Sequence, residues 1–206
     1  MTADVKAATA GEVRIGPGAL VLVCGPSGAG KDTLLQRIAE ERRGDPRLVF
    51  ARRVVTRPPS DFEDNDSVSE AAFETLRKNG AFDCSWLAHG HRYGIPSSVK
   101  EDVEAGRCVV INVSRLIVEE MRSRYARVVA VLVTAPPAVL QQRLAARSRP
   151  SDGDLAQRIG RTGAVADRFR ADATIVNDGA IAAAIRQLSD VVETQLLTAG
   201  HQNNPA

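Results

Sequence analysis

The stretch Gly25-Pro26-Ser27-Gly28-Ala29-Gly30-Lys31-Asp32-Thr33 constrains this 206-residue chain more than any other. An unbroken apolar run, residues 19–24, leads into it. A helical pattern with Leu34, Leu35, Ile38 and Ala39 on one side leads out. Strand, glycine-rich turn and helix in that order are the setting of a phosphate-binding P-loop. Glycines let successive backbone N–H groups turn inward around phosphate oxygens with no Cβ in the way. A helix beginning at Lys31 directs its positive dipole end at the same anion, and Lys31 adds a mobile charge toward the outer phosphates. Residues 25–33 are therefore expected to bind a nucleoside triphosphate.

One position departs from the template. Ser or Thr follows the lysine in that motif, whereas here Asp32 follows it and Thr33 comes next. A bare carboxylate beside a polyphosphate is repelled, and a magnesium ion between them reverses the sign. Asp32, helped by Thr33, is expected to face Mg²⁺. The plainer alternative is that Asp32 only caps the helix start.

Composition excludes more than it selects. A net charge of +2 gives no reason to expect a polyanionic partner such as nucleic acid, and no stretch approaches the length of a membrane span. Cys24, Cys84 and Cys108 form an odd set without CxxC spacing, which points to a reducing, cytoplasmic setting rather than a disulfide framework. The first 18 residues lack the long apolar segment of a secretory signal. Residues 1–17 and 199–206 are expected as loose tails around one domain, 18–198, acting as a monomer or homodimer.

Beyond the P-loop, apolar runs at 48–51, 108–112, 128–133 and 173–176 read as further strands of a parallel sheet. Helical patterns lie between or after them at about 114–125, 136–147, 154–169 and 180–197. Five strands alternating with helices predict a three-layer α/β fold. The alternation breaks between about 54 and 106. There, an acidic, loop-like stretch at 60–67 precedes a helix capped by Ser69. Two short strands around His89-Gly90-His91 follow, then a helix after Ser97-Ser98. This section reads as an inserted subdomain. Arg57 lies just past a strand end, where parallel-sheet ligands bind, and suits an anionic acceptor.

Arginines cluster late in the chain. Arg143, Arg147 and Arg149 end one helix, and Arg158 and Arg161 share a face of the next. Alone, such a run is as readily a solvated helix face. Beside a P-loop it reads as a lid, about 147–158, whose guanidinium forks match the spread charge of a phosphoryl group in transfer and exclude water.

At this point the chain resembles the guanylate kinase family, through GPSGAGKDT, VVTRPP, HRYGIP, QRLAARSR, LAQRI and IVNDG. The resemblance implies a P-loop kinase fold with an acceptor-binding insert and an arginine-rich lid, using ATP and Mg²⁺. It puts Arg143, Arg147 and Arg158 among the phosphate-clamping, catalytic arginines with Lys31. It puts Asn177 against the donor adenine, with a turn residue in Asn-Asp-Gly as the plain alternative. Arg57 and Tyr93 fall on acceptor-phosphate contacts. The acceptor-site residues of that family are not kept: its second phosphate-binding arginine falls near Ser60, its phosphate-holding tyrosine near Asn65, its guanine-reading glutamate near Ser85, its hydroxyl after the Tyr-Gly pair at Ile95 and its third-strand aspartate near Asn112. A polar site that has lost such partners gives up discrimination of about ten-thousand-fold or more, so guanine is not expected as the acceptor.

The GKD loop, Ser85-Trp86 and Asn112-Val113-Ser114-Arg115 resemble instead the ribose 1,5-bisphosphate phosphokinases of bacterial phosphonate breakdown. That resemblance implies a small phosphorylated sugar as substrate, with Asn112 and Arg115 as further acceptor contacts. Arg115 as an exposed helix-start residue is the plain alternative, and Trp86 reads as insert core. Competing readings are a nucleoside monophosphate kinase, a non-catalytic interaction module, which has no need of an intact Gly-Lys loop, and a kinase for another small anion.

Overall fold

In the computed structural model, residues 13–59, 64–147 and 169–200 are described. Five strands form one parallel sheet: β1 (Ala19–Cys24), β2 (Leu48–Phe50), β7 (Cys108–Asn112), β8 (Val128–Thr134) and β9 (Ala173–Val176), in the order β2-β7-β1-β8-β9. β1 is central and every residue of it is buried. That is why its sequence is continuously apolar rather than alternating: both faces of the sheet are covered.

The two faces bury different halves of that run. Ala19, Val21 and Val23 meet Leu34 and Ile38 of α1 (Lys31–Glu41) and Ala184, Leu188, Val192 and Leu196 of the last helix, α6 (Ile181–Gly200). Leu20, Leu22 and Cys24 meet Val99 and Val103 of α3 (Ser98–Glu104) and Val118 and Met121 of α4 (Val118–Arg124). The three layers expected from the alternation are present. α5 (Pro137–Arg147) follows β8 and starts on proline, which needs no N–H in a first helical turn.

A second sheet interrupts the chain between β2 and β7. It contains β3 (Arg53–Val55), β4 (Asn65–Ser67), β5 (Phe82–Ala88) and β6 (His91–Pro96), in the order β4-β3-β6-β5. β5 and β6 form the expected hairpin. Its turn is His89-Gly90, both at positive φ (51° and 76°), the two-residue geometry that matches strand twist. His91 is therefore the first residue of β6 and not part of the turn. Ser69 caps α2 (Glu70–Lys78), its hydroxyl accepting from Ala72 N at 3.2 Å. Phe73 of α2 stacks on Phe82, with centroids 4.6 Å apart.

Four boundaries differ from the sequence expectation. The acidic stretch 60–67 is not all loop: β4 pairs with β3 because Arg52 holds Asp64 (2.8 Å) and Asp66 (3.2 Å) while Arg53 Nε donates to Asn65 Oδ1 (3.1 Å). The insert range of 54–106 runs too far, since α3 carries Val99 and Val103 into the core of the parallel sheet. The tail expected over 1–17 is not loose to its end, because Ile15 N donates to Arg124 O and Ala126 N to Ile15 O, both at 2.8 Å. The last helix reaches Gly200. The expected lid and the helix at 154–169 lie outside the described residues, apart from Arg147 and Phe169.

The insert is tied to the core through a polar cluster that sequence spacing does not reveal. Asp83 of β5 accepts from Tyr125 Oη at 2.7 Å and from Arg124 Nη2, while Arg124 Nη1 donates to Asp83 O at 2.9 Å. Burial, with the adjacent Asp83 carboxylate, pushes the Tyr125 hydroxyl well above its ordinary range, so it stays a proton donor at all ordinary pH.

Candidate active site

The loop between β1 and α1 is shaped by backbone that only glycine accepts. Gly25 has φ +147°, and a Cβ there would lie 1.9 Å from Val133 O of β8. Gly30 is left-handed (φ +88°) at the start of α1, and a Cβ there would meet Asn177 Nδ2 at 2.5 Å. That contact is built in: Asn177 is buried, and its Nδ2 donates to Ala29 O at 2.9 Å while its backbone N donates to Thr134 O at 2.7 Å. The residue expected against a donor base thus also fastens the loop to the carboxyl ends of β8 and β9.

Lys31 Nζ donates to Gly25 O and Pro26 O, both at 3.0 Å, which holds its charge over the loop. Arg143 reaches the loop from α5, its Nη1 donating to Gly28 O at 3.4 Å. Arg147 is the last residue of that helix. Arg158 lies outside the described residues. Pro26, Ser27, Gly28 and Ala29 complete the turn, and Ala29 is fully buried beneath it.

One pocket opens beside the ends of β2 and β7, with Asp32, Phe50, Arg53 and Asn112 among its lining. Asn112, the last residue of β7, donates through Nδ2 to Asp32 Oδ1 at 2.8 Å. Asn112 is buried, and its Oδ1 has no hydrogen-bond partner among the described residues. An unsatisfied buried carbonyl beside a carboxylate is a hard-oxygen donor pair of the kind that suits Mg²⁺. Thr33, the other metal candidate, is exposed and takes no part in that pair. Among the described residues no group of three or more His, Cys, Asp or Glu could hold a metal alone, so an ion here would need water or phosphate oxygens to complete its shell.

Arg57 lies two residues past the end of β3 and is half-buried. Arg115 begins a short 3₁₀ turn, Arg115–Ile117, capped by Ser114, whose hydroxyl accepts from Leu116 N at 3.3 Å. Tyr93 of β6 is buried, its ring nearly parallel to Trp86 (10°, centroids 5.4 Å apart).

The residue that sequence reasoning missed is Arg53. Its guanidinium carbon stands 5.6 Å from the centroid of the Tyr93 ring, and only 9% of the residue is exposed. Burial lowers its pKa, and the Asp32 carboxylate is the largest opposing influence. It lines one pocket with Asp32 and Asn112. Burial raises the Cys24 thiol to about 12, against smaller opposing influences from Lys31, Arg115, Arg122 and Arg53. The available signal was the doublet Arg52-Arg53 entering a strand, where one of two adjacent side chains must face inward.

A parallel sheet with a P-loop at its central strand, a basic helix over the loop and an inserted second sheet define a P-loop kinase of the guanylate kinase type. The crystal structure of guanylate kinase from Anaplasma phagocytophilum aligns with a TM-score of 0.61 and 21% identity, over 87% of this chain and 86% of that one. A family model described as an AAA domain matches residues 21–160. Sequence relatives are nearer. The chain is 54% identical, over 80% of its length and 91% of the relative's, to ribose 1,5-bisphosphate phosphokinase PhnN of Methylobacterium radiotolerans. It is 48% identical to the protein of that name from Rhodopseudomonas palustris, over 92% and 95%. It is 41% identical over 86% of its length to a bifunctional ribose 1,5-bisphosphokinase-thymidine phosphorylase of Cupriavidus necator, of which it spans 29%. The chain belongs to the ribose 1,5-bisphosphate phosphokinase PhnN family.

Proposed function

We propose that the protein transfers the γ-phosphoryl group of ATP to the 1-phosphate of ribose 1,5-bisphosphate, giving 5-phosphoribosyl 1-diphosphate in phosphonate catabolism, in the cytoplasm. An acceptor phosphate oxygen attacks the γ-phosphorus, the bond from that phosphorus to the β–γ bridging oxygen breaks, and ADP leaves. The acceptor is already ionised at neutral pH, so no side chain has to remove a proton. That accounts for a pocket without a His–carboxylate pair among its described lining residues.

Catalysis by this chain is then alignment and charge neutralisation. The loop N–H groups and Lys31 bind and orient the donor phosphates, Arg143 and Arg147 draw charge off the group in transfer, and Arg158 completes that clamp. Arg57, Tyr93 and Arg115 orient the acceptor. Asp32 with the Asn112 carbonyl, helped by Thr33, would hold Mg²⁺, which would supply neutralisation between the carboxylate and the polyphosphate.

The observation that carries this reading is the Asn112–Asp32 hydrogen bond. A purine-reading site of this family uses a carboxylate for the N–H groups of guanine, and here the strand end offers a neutral amide, held to the P-loop helix through its Nδ2. Three buried thiols agree with a reducing setting, and no helix among the described residues is long and apolar enough to cross a membrane. Initial rates with ATP–Mg²⁺ against ribose 1,5-bisphosphate and guanosine monophosphate test the reading. The bisphosphate should be preferred by about a thousandfold or more in kcat/KM, and comparable rates would overturn it.

A further inference from the structure

Ribose 1,5-bisphosphate carries two free hydroxyls, at C2 and C3, besides its phosphates. A kinase that reads the sugar itself needs hydrogen-bond acceptors for them. We propose that Asn112 is such an acceptor: its side-chain carbonyl takes the proton of a ring hydroxyl, which makes it a specificity-determining residue of the acceptor site. This inference rests on the proposed function above.

Three observations carry it. First, the amide is fixed one way round. Asn112 Nδ2 donates to Asp32 Oδ1 at 2.8 Å. Only the amino end of an amide can donate to a carboxylate, so Oδ1 is the end left over. Second, that oxygen is stranded. Asn112 is 6% exposed, and its Oδ1 has no hydrogen-bond partner among the described residues. A buried carbonyl without a donor is costly, and a substrate hydroxyl removes that cost. A carbonyl oxygen has two lone pairs, so this contact stands beside the one toward Mg²⁺ proposed above. Third, the pocket that Asn112 lines suits the body of a sugar better than a phosphate. Two carboxylates, Asp32 and Asp64, face it; they repel an anion and accept from hydroxyls. Its arginines are engaged within the protein, Arg52 Nε with Asp64 Oδ1 at 2.8 Å and Arg53 Nε with Asn65 Oδ1 at 3.1 Å. Leu35, Phe50 and Val110 supply an apolar side, against which the C–H groups of a furanose can lie.

The 2-deoxy and 3-deoxy analogues of the bisphosphate each lack one hydroxyl and keep both phosphates. Values of kcat/KM for ribose 1,5-bisphosphate and the two analogues are measured at saturating ATP–Mg²⁺ in wild type, Asn112→Leu and Asn112→Ala, with the melting temperature checked. Wild type should prefer ribose to at least one analogue by about tenfold or more. In Asn112→Leu, whose side chain has a similar shape and no acceptor, that preference should fall to within about threefold. Whatever the variant loses through Asp32 or Mg²⁺ applies to all three sugars alike and cancels in the ratio, so a purely structural or metal-holding role leaves the preference intact. Asn112→Ala gives the same reading if the leucine variant does not fold. Equal use of all three sugars by wild type, or a preference that survives in the variants, overturns this assignment and leaves the proposed function standing. A wild-type enzyme that ignores all three bisphosphates sinks the proposed function and this inference with it.

Discussion

At the scale of single residues, the P-loop and its surroundings divide into groups that bind and groups that hold others in place. Lys31 belongs to the first kind, with its ammonium held over the loop by two carbonyls. Lys31→Ala should lower kcat by at least about a hundredfold with the melting temperature little changed; substantial residual transfer would refute the assignment. Asp32→Asn keeps a partner for Asn112 and removes the charge. It should raise the Mg²⁺ concentration for half-maximal rate by about tenfold or more, and an unchanged magnesium dependence contradicts a metal role. The P-loop turn was legible in the sequence because its backbone shape depends on local spacing. Arg53 was not, because its environment comes from Asn65 and Tyr93, 12 and 40 residues further along the chain, positions only the insert sheet brings together. The joint placement of Asp32 and Asn112, 80 residues apart, was equally invisible, although each had been singled out alone.

At the scale of elements, strands that are buried on both faces announce themselves. β1, β7 and β8 are unbroken apolar runs because helices cover both sides. β4 could not be read this way. Asn65-Asp66-Ser67 has poor intrinsic strand preference, and the arginines at the start of β3 draw it into the sheet. The two sheets depend on two joints. In the first, Gly25 lets the loop pass over β8; Gly25→Ala would drive a Cβ into Val133 O, and nucleotide binding by fluorescence or calorimetry should be lost. In the second, Asp83 meets Arg124 and Tyr125. The Asp83 side chain is 2% exposed and that of Arg124 29%. Asp83→Asn should therefore cost about 3 kcal/mol, near the lower end for a broken buried pair. A lower denaturant midpoint with an unchanged slope is the expected record, and an unchanged midpoint would show that the joint contributes little.

For the whole molecule, the three-layer order and the insert were legible, since both follow from where strand–helix alternation continues and where it breaks. The balance of the acceptor site was legible only as losses, the missing partners for a purine; the cation that stands in the pocket came from the fold. All three cysteines are buried, and burial raises each thiol. At pH 8 the native protein should give almost no reaction with a thiol reagent such as 5,5′-dithiobis(2-nitrobenzoate), and three equivalents once unfolded in guanidinium. Rapid native labelling would mean that one of the two core faces opens readily.

The central claim is that this P-loop kinase serves a bisphosphorylated sugar and not a nucleotide. The most direct measurement is a competition: one reaction with ATP–Mg²⁺ and equal amounts of ribose 1,5-bisphosphate and guanosine monophosphate, followed by ³¹P NMR. The account predicts that the diphosphate of 5-phosphoribosyl 1-diphosphate grows as ATP is consumed while guanosine monophosphate stays intact. Guanosine diphosphate appearing first, with the sugar untouched, would contradict it.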